Sequence, residues 1–199
     1  MRLFVGLAPS AAALDDLDAA CAPFRPSRDD LRWTSRELWH VTLAFLGEVD
    51  AESLPRLLPR LERAARRHLA FSLSLTGAGA FPSPARANVL WSGISGDRKA
   101  LGELAMSVNA GARRAGTPAP DEGRRYRPHV TLARCRMPVD VRPIVSKLSA
   151  HQGPAWTAGE IYLIRSAPGG WNGNPGTVAT RSTCPAPARL AAAVSASSS

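Results

Sequence analysis

Residues 40–44 read His-Val-Thr-Leu-Ala, and residues 129–133 read His-Val-Thr-Leu-Ala again, 89 positions further along a chain of 199. The chain has four histidines and nine threonines, so composition alone would supply a His-x-Thr roughly 0.2 times. An identical five-residue repeat at nearly half-chain spacing is an internal duplication. The residue types suit one kind of chemistry. An imidazole with an ordinary pKa of about 6.5 can take a proton from an attacking water or hydroxyl, and a second can give one to a leaving oxygen. The two must then hold opposite protonation states, which gives a bell-shaped pH dependence. A threonine hydroxyl beside each can donate a hydrogen bond to an oxygen that is gathering negative charge. His40 and His129 are therefore the candidate catalytic residues, with Thr42 and Thr131 as candidate substrate-binding residues. No carboxylate accompanies either motif at ligand spacing, so no metal and no cofactor is expected. His68 and His151 lack this context. They fall near expected helix C-termini, where an imidazole is electrostatically comfortable, and receive no role.

Strands must hold these groups. Side chains at i and i+2 of a strand share a face, so strict alternation puts His40 and Thr42 on one side and Val41, Leu43 and Phe45 on the other. The second copy sets His129 and Thr131 against Val130 and Leu132. Strands are expected over residues 2–8, 38–49, 71–75, 88–94, 128–134 and 155–165, with a short last one over 177–181. Helices are expected up to about residue 22 after a Ser10 cap, from Asp50 onward, over 99–114 and over 139–151. Pro59 is expected to kink the second helix, and a Gly/Pro-rich turn to join the strands at 71–75 and 88–94. The segments 116–123 and 168–176 read as turns. The order is not a strict βαβ alternation, so the fold class is α+β with antiparallel sheets. The duplication makes it bilobal: two sheets with helices on their outer sides, facing a central cleft across a pseudo-two-fold axis. Residues 1–183 form this single domain, and the Pro/Ala- then Ser-rich residues 184–199 read as a disordered tail.

Charge narrows the partner. The net charge is +9, and 23 of the 25 basic residues are arginines, the side chain best shaped for forked contacts with phosphate. A pI near 10.9 raises the prior for a phosphate-bearing ligand. Cys21, Cys135 and Cys184 form no CxxC pair, which suits a reducing cytoplasm. No apolar run reaches membrane-span length and residues 1–7 do not read as a signal peptide, so a cytoplasmic location without membrane contact is expected. There is no Walker-type phosphate loop.

Two His-x-Thr motifs half a chain apart resemble the 2H phosphoesterase superfamily, and within it the RNA 2',3'-cyclic phosphodiesterases, also named 2'-5' RNA ligases. Arg2-Leu3-Phe4, Leu31-Arg32-Trp33, residues 40–49 (HVTLAFLGEV), Val89-Leu90-Trp91 and residues 127–134 (RPHVTLAR) are similar to that family in order, over about residues 1–182. The resemblance implies a bilobal α+β fold and metal-independent opening of a 2',3'-cyclic phosphate at an RNA 3' end to a 2'-phosphate. It implies His40 as the acid that protonates the leaving 3' oxygen and His129 as the base that activates water, although the residues themselves do not fix which is which. It also implies Arg134 at the phosphate. Strict alternation places Arg134 on the face opposite His129, so it arrives only if the strand bends or its side chain curls over the edge. Arg127 shares the parity of His129 and is the reserve candidate for substrate binding. Phe4 and Trp33 can stack a base, with core packing as the stronger reading of each. Val5 stands where some relatives carry a second aromatic. RNA 3' ends or small cyclic nucleotides are the expected partners, and the protein is expected to act as a monomer. The same four residues would serve a 2'-5' RNA ligase or 2'-5' phosphodiesterase. A non-catalytic RNA- or nucleotide-binding module is the alternative from another class, and it would bind indifferently to His40 with a steep salt dependence.

Overall fold

The computed structural model describes residues 1–117, 126–165 and 178–183. The chain runs β1 (Arg2–Leu7), α1 (Ala11–Cys21), β2 (Leu31–Trp33), β3 (Val41–Glu48), α2 (Leu54–Arg66), β4 (Phe71–Ser83), β5 (Arg86–Gly96), α3 (Arg98–Arg114), β6 (His129–Val139), α4 (Arg142–Leu148), β7 (Trp156–Ala158), β8 (Glu160–Arg165) and β9 (Val178–Thr183). Two sheets result, in the orders β3-β1-β8-β9 and β2-β6-β5-β4-β7. Every strand pair is antiparallel.

Each sheet needs one face covered. In the first, Leu3, Val5, Leu7, Val41 and Leu46 are buried, and α2 and α3 pack together on that side. Leu57, Leu61, Ala64 and Ala65 form the buried stripe of α2, while its arginines Arg56, Arg63, Arg66 and Arg67 are exposed. In the second sheet, α1 and α4 lie on β4, burying Leu17, Cys21, Ile144 and Leu148. Ser10 caps α1 by accepting from the amide of Ala13 at 3.3 Å. The helices are exchanged between sheets. α1 follows a strand of the first sheet but packs on the second, and α3 does the reverse, as a duplicated unit closed on itself would.

Several boundaries differ from the sequence expectation. The strands at 71–75 and 88–94 are parts of one long hairpin that turns at Pro84 and Ala85. The Gly/Ala run inside it reads as a turn but serves packing: a Cβ at Gly79 would overlap the Trp91 indole, which lies across β4. The stretch 155–165 is two strands, one in each sheet, divided at Gly159. The last helix is confined to Arg142–Leu148. α2 continues through the exposed Pro59 as one helix, and its buried stripe runs past that position. The turns expected at 116–123 and 168–176 fall partly or wholly outside the described residues, and the tail at 184–199 wholly so. No helix among the described residues is long and apolar enough to cross a membrane.

Candidate active site

The two HVTLA copies stand at the starts of β3 and β6, the strands through which the sheets approach each other. Both strands carry the same irregularity. In β3 the pairing with β1 steps from Gly6 opposite Thr42 to Val5 opposite Ala44. In β6 the pairing with β5 steps from Trp91 opposite Thr131 to Leu90 opposite Ala133. One extra residue, Leu43 or Leu132, is inserted each time. Such a bulge reverses the alternation beyond it, and Leu43-Ala44 and Leu132-Ala133 are accordingly consecutive buried pairs. The carbonyls of the extra residues find partners outside the strand pair. Asn109 on α3 donates to Leu43 O at 3.1 Å, and the Thr34 amide donates to Leu132 O at 2.8 Å.

The fifth residue after each histidine therefore joins the histidine face. Arg134 shares the face of His129 and Thr131, which resolves the parity conflict in its favour. Phe45 likewise lies on the face of His40 and Thr42, not opposite them as alternation predicts. It is 49% exposed.

The imidazoles are held alike. His40 Nδ1 lies 2.7 Å from Leu38 O and His129 Nδ1 lies 2.7 Å from Arg127 O. A carbonyl only accepts, so each Nδ1 carries a hydrogen and each Nε2 is the nitrogen that gains or loses the working proton. Phe4 stacks on His40 with centroids 4.7 Å apart. Phe81 meets His129 edge-on at 5.1 Å and Trp91 lies at 6.1 Å. Burial is the largest influence on both rings. Together with the charges of His129 and Arg134, and against the opposing backbone hydrogen bond, it draws His40 down to about 4. His129 is lowered by burial and by Arg134, with its own backbone bond opposing. The two imidazoles thus disfavour each other's charge, and one guanidinium acts on both.

The structure places His40, His129 and Arg134 within electrostatic reach of one another, with Thr42 and Thr131 half-buried on the same faces. Neither threonine hydroxyl is committed to a partner among the described residues. Arg127 contributes its carbonyl to His129, while its side chain is exposed. Trp33 packs against the core, as expected, with Arg25 over its ring. His68 bonds Ser107 at 2.8 Å, and His151 lies 3.3 Å from Asp16. Among the described residues no three His, Cys, Asp or Glu side chains come together as metal ligands.

Tyr126 is a site residue that motif reading misses. Its hydroxyl donates to Thr42 O at 2.9 Å, joining the lead-in of the second motif to the strand of the first. Burial pushes that hydroxyl well above its ordinary pKa, so it stays a neutral donor. The partners lie 84 residues apart, and no local pattern announces them.

A family model described as LigT like phosphoesterase matches residues 7–91. A protein of Archaeoglobus fulgidus named RNA 2',3'-cyclic phosphodiesterase is 32% identical over 75% of this chain and 82% of its own length. One of the same name from Aquifex aeolicus is 29% identical over 53% of this chain, and the match spans 55% of that relative. Among solved structures, a protein of Thermus thermophilus superposes with a TM-score of 0.71 at 26% identity, over 92% of this chain and 97% of the other. Escherichia coli LigT complexed with 3'-AMP gives 0.67 at 25% identity, over 92% and 96%.

Proposed function

This chain belongs to the LigT-like phosphoesterase family, and from that premise we propose that it hydrolyses 2',3'-cyclic phosphates at RNA 3' ends, or on small cyclic nucleotides, to leave a 2'-phosphate. The observation that carries this reading is the pair of imidazoles, each locked by an Nδ1–H···O=C bond of 2.7 Å so that two Nε2 atoms are left to exchange protons across one cleft.

The steps follow from the groups. The cyclic phosphate anion sits among the Thr42 and Thr131 hydroxyls and the Arg134 guanidinium. One imidazole takes a proton from water, whose oxygen bonds to phosphorus. The P–O3' bond breaks on the opposite side, and the second imidazole, as imidazolium, gives its Nε2 proton to that oxygen. The family resemblance puts His40 in the acid role and His129 in the base role. Burial, joined by positive charge nearby, holds both rings neutral in the empty cleft, and a bound anion offsets that charge. Mutual repulsion then favours one added proton over two. The substrate therefore creates the opposite protonation states that the reaction needs. Local geometry and Thr/Arg donors account for stabilisation of the crowded phosphorane-like charge. Neither a metal nor a cofactor enters this scheme, and a monomer in the cytoplasm suffices for it.

The test is hydrolysis of an RNA oligonucleotide ending in a 2',3'-cyclic phosphate, with EDTA present. A 2'-phosphate product, abolished in His40→Ala and in His129→Ala, supports the scheme. A 3'-phosphate product would reverse which oxygen leaves. Turnover indifferent to either histidine, or turnover that EDTA stops, would overturn it.

A further inference from the structure

Opposed residues of paired strands share a face, so the side of the second sheet that carries His129 can be read in rows. Arg134 on β6 stands directly opposite Arg32 on β2. Leu31 and Trp33, on either side of Arg32, turn to the core instead. The pairing of β6 with β2 keeps an unbroken register from Ala133 to Cys135, so Arg136, two positions beyond Arg134, comes to the same face as Arg134. Cys135 between them lies on the other face, where the charges of Asp30 and Arg28 act on its thiol. Arg32, Arg134 and Arg136 are all exposed. Neighbouring strands are about 4.8 Å apart, and two residues advance about 6.6 Å along a strand. The three arginines therefore mark a small triangle. One corner, Arg134, adjoins the two histidines, and the other two lie one step beyond it. The carboxylates at these strand ends are engaged elsewhere: Asp30 pairs with Arg28 at 2.7 Å and Asp140 with Arg142 at 2.6 Å. Like charges set directly opposite each other repel. A phosphate received between them turns that repulsion into charge-assisted contacts.

We propose that Arg32 and Arg136 receive the internucleotide phosphate immediately 5' of the cyclic one, so that the substrate is an RNA strand and not a mononucleotide. The proposal rests on the reading that the cyclic phosphate lies among Thr42, Thr131 and Arg134. Contacts to phosphate fix the position of a strand without reading its bases. The arginine triangle therefore selects for length and charge, and any sequence fits it.

The experiment compares adenosine 2',3'-cyclic phosphate with the dinucleotide that carries one further adenosine on its 5' side, joined either by an ordinary phosphodiester or by an uncharged methylphosphonate. The wild type prefers the phosphodiester dinucleotide to the mononucleotide in kcat/KM by about 10- to 100-fold, and the methylphosphonate gains no such preference. Arg32→Gln and Arg136→Gln each lower the preference about 10-fold, and Arg32→Lys retains most of it. Arg32→Gln also reduces the slope of log kcat/KM against log salt for the phosphodiester by about 0.7. A methylphosphonate preferred as strongly as the phosphodiester, or a preference untouched in both glutamine variants, overturns the proposal. If the wild type hydrolyses none of the three compounds, the reaction reading fails, and calorimetry with 3'-AMP and with the dinucleotide ending in a 3'-phosphate decides the arginine contacts alone. Tighter binding of the dinucleotide that is lost in Arg32→Gln upholds them, and equal affinities refute them.

Discussion

The two halves carry the same five residues, the same bulge and the same carbonyl clasp on Nδ1, yet they surround them differently. In the first, His40 stacks on Phe4, and the row beyond Thr42 is Phe45, Phe4 and Ile164. In the second, His129 meets Phe81 and Trp91, and the row beyond Thr131 is Arg32, Arg134 and Val89. Duplication supplied two equivalent imidazoles, and the flanking rows made their surroundings unequal: the row beyond Thr42 is apolar, and the row beyond Thr131 carries two guanidinium groups. A reaction that needs one proton donor and one acceptor gains from that inequality.

Removing either imidazole gives the largest effect. His40→Ala and His129→Ala each lower kcat about 10²–10⁴-fold, and the double variant falls little further because the pair acts as a unit. Steady-state rates across pH sharpen the comparison: each single variant loses a different limb of the bell. Loss of the same limb in both would erase the distinction between halves.

The second effect is on stability. His40 titrates near 4 when folded and near 6.5 when unfolded. Between those values the unfolded chain binds the extra proton. The stabilisation is full above about pH 6.5 and is lost as pH falls toward 4, by about 2–3 kcal/mol. Denaturant titrations at pH 7 and pH 4.5 measure it, and His40→Asn flattens the difference.

Arg134→Gln comes next, with kcat/KM down about 10- to 100-fold from the lost charge-assisted contact. Arg134 lowers both imidazoles, so its removal moves both limbs of the pH–rate profile upward. A profile that stays in place would mean its charge does not reach them.

The smallest effect is that of Tyr126→Phe, which deletes one hydrogen bond worth about 1 kcal/mol and keeps the ring. A role in setting the two motifs against each other predicts kcat down several-fold with KM little changed and a displaced pH profile. Thermal unfolding shifted with kinetics intact would make the bond merely structural.

Much of this is legible in the sequence. The repeat identifies both strands, the lobes and the candidate residues, because the hydrogen-bonded ladder imposes a strict face on His-x-Thr. The bulge escapes strict alternation, although Leu-Ala after each threonine, two apolar residues in succession, is its trace. That single omission misplaces Phe45 and leaves Arg134 in conflict with its neighbours. The strand at 155–165 hides a change of sheet at Gly159, since both pieces alternate equally well. The Tyr126–Thr42 bond depends on tertiary closure that no window of residues encodes.

The most direct test of the central claim is the protonation of the two rings, read from two-dimensional 15N–1H spectra of the histidines with and without a nucleoside 2'-phosphate. Above pH 6.5 the free protein should show His40 and His129 both neutral, with hydrogen on Nδ1 and none on Nε2. Binding of the nucleotide should convert one of them, and only one, to imidazolium. Hydrogen on Nε2 in the free protein, or rings that remain both neutral or become both charged with nucleotide bound, would contradict the account.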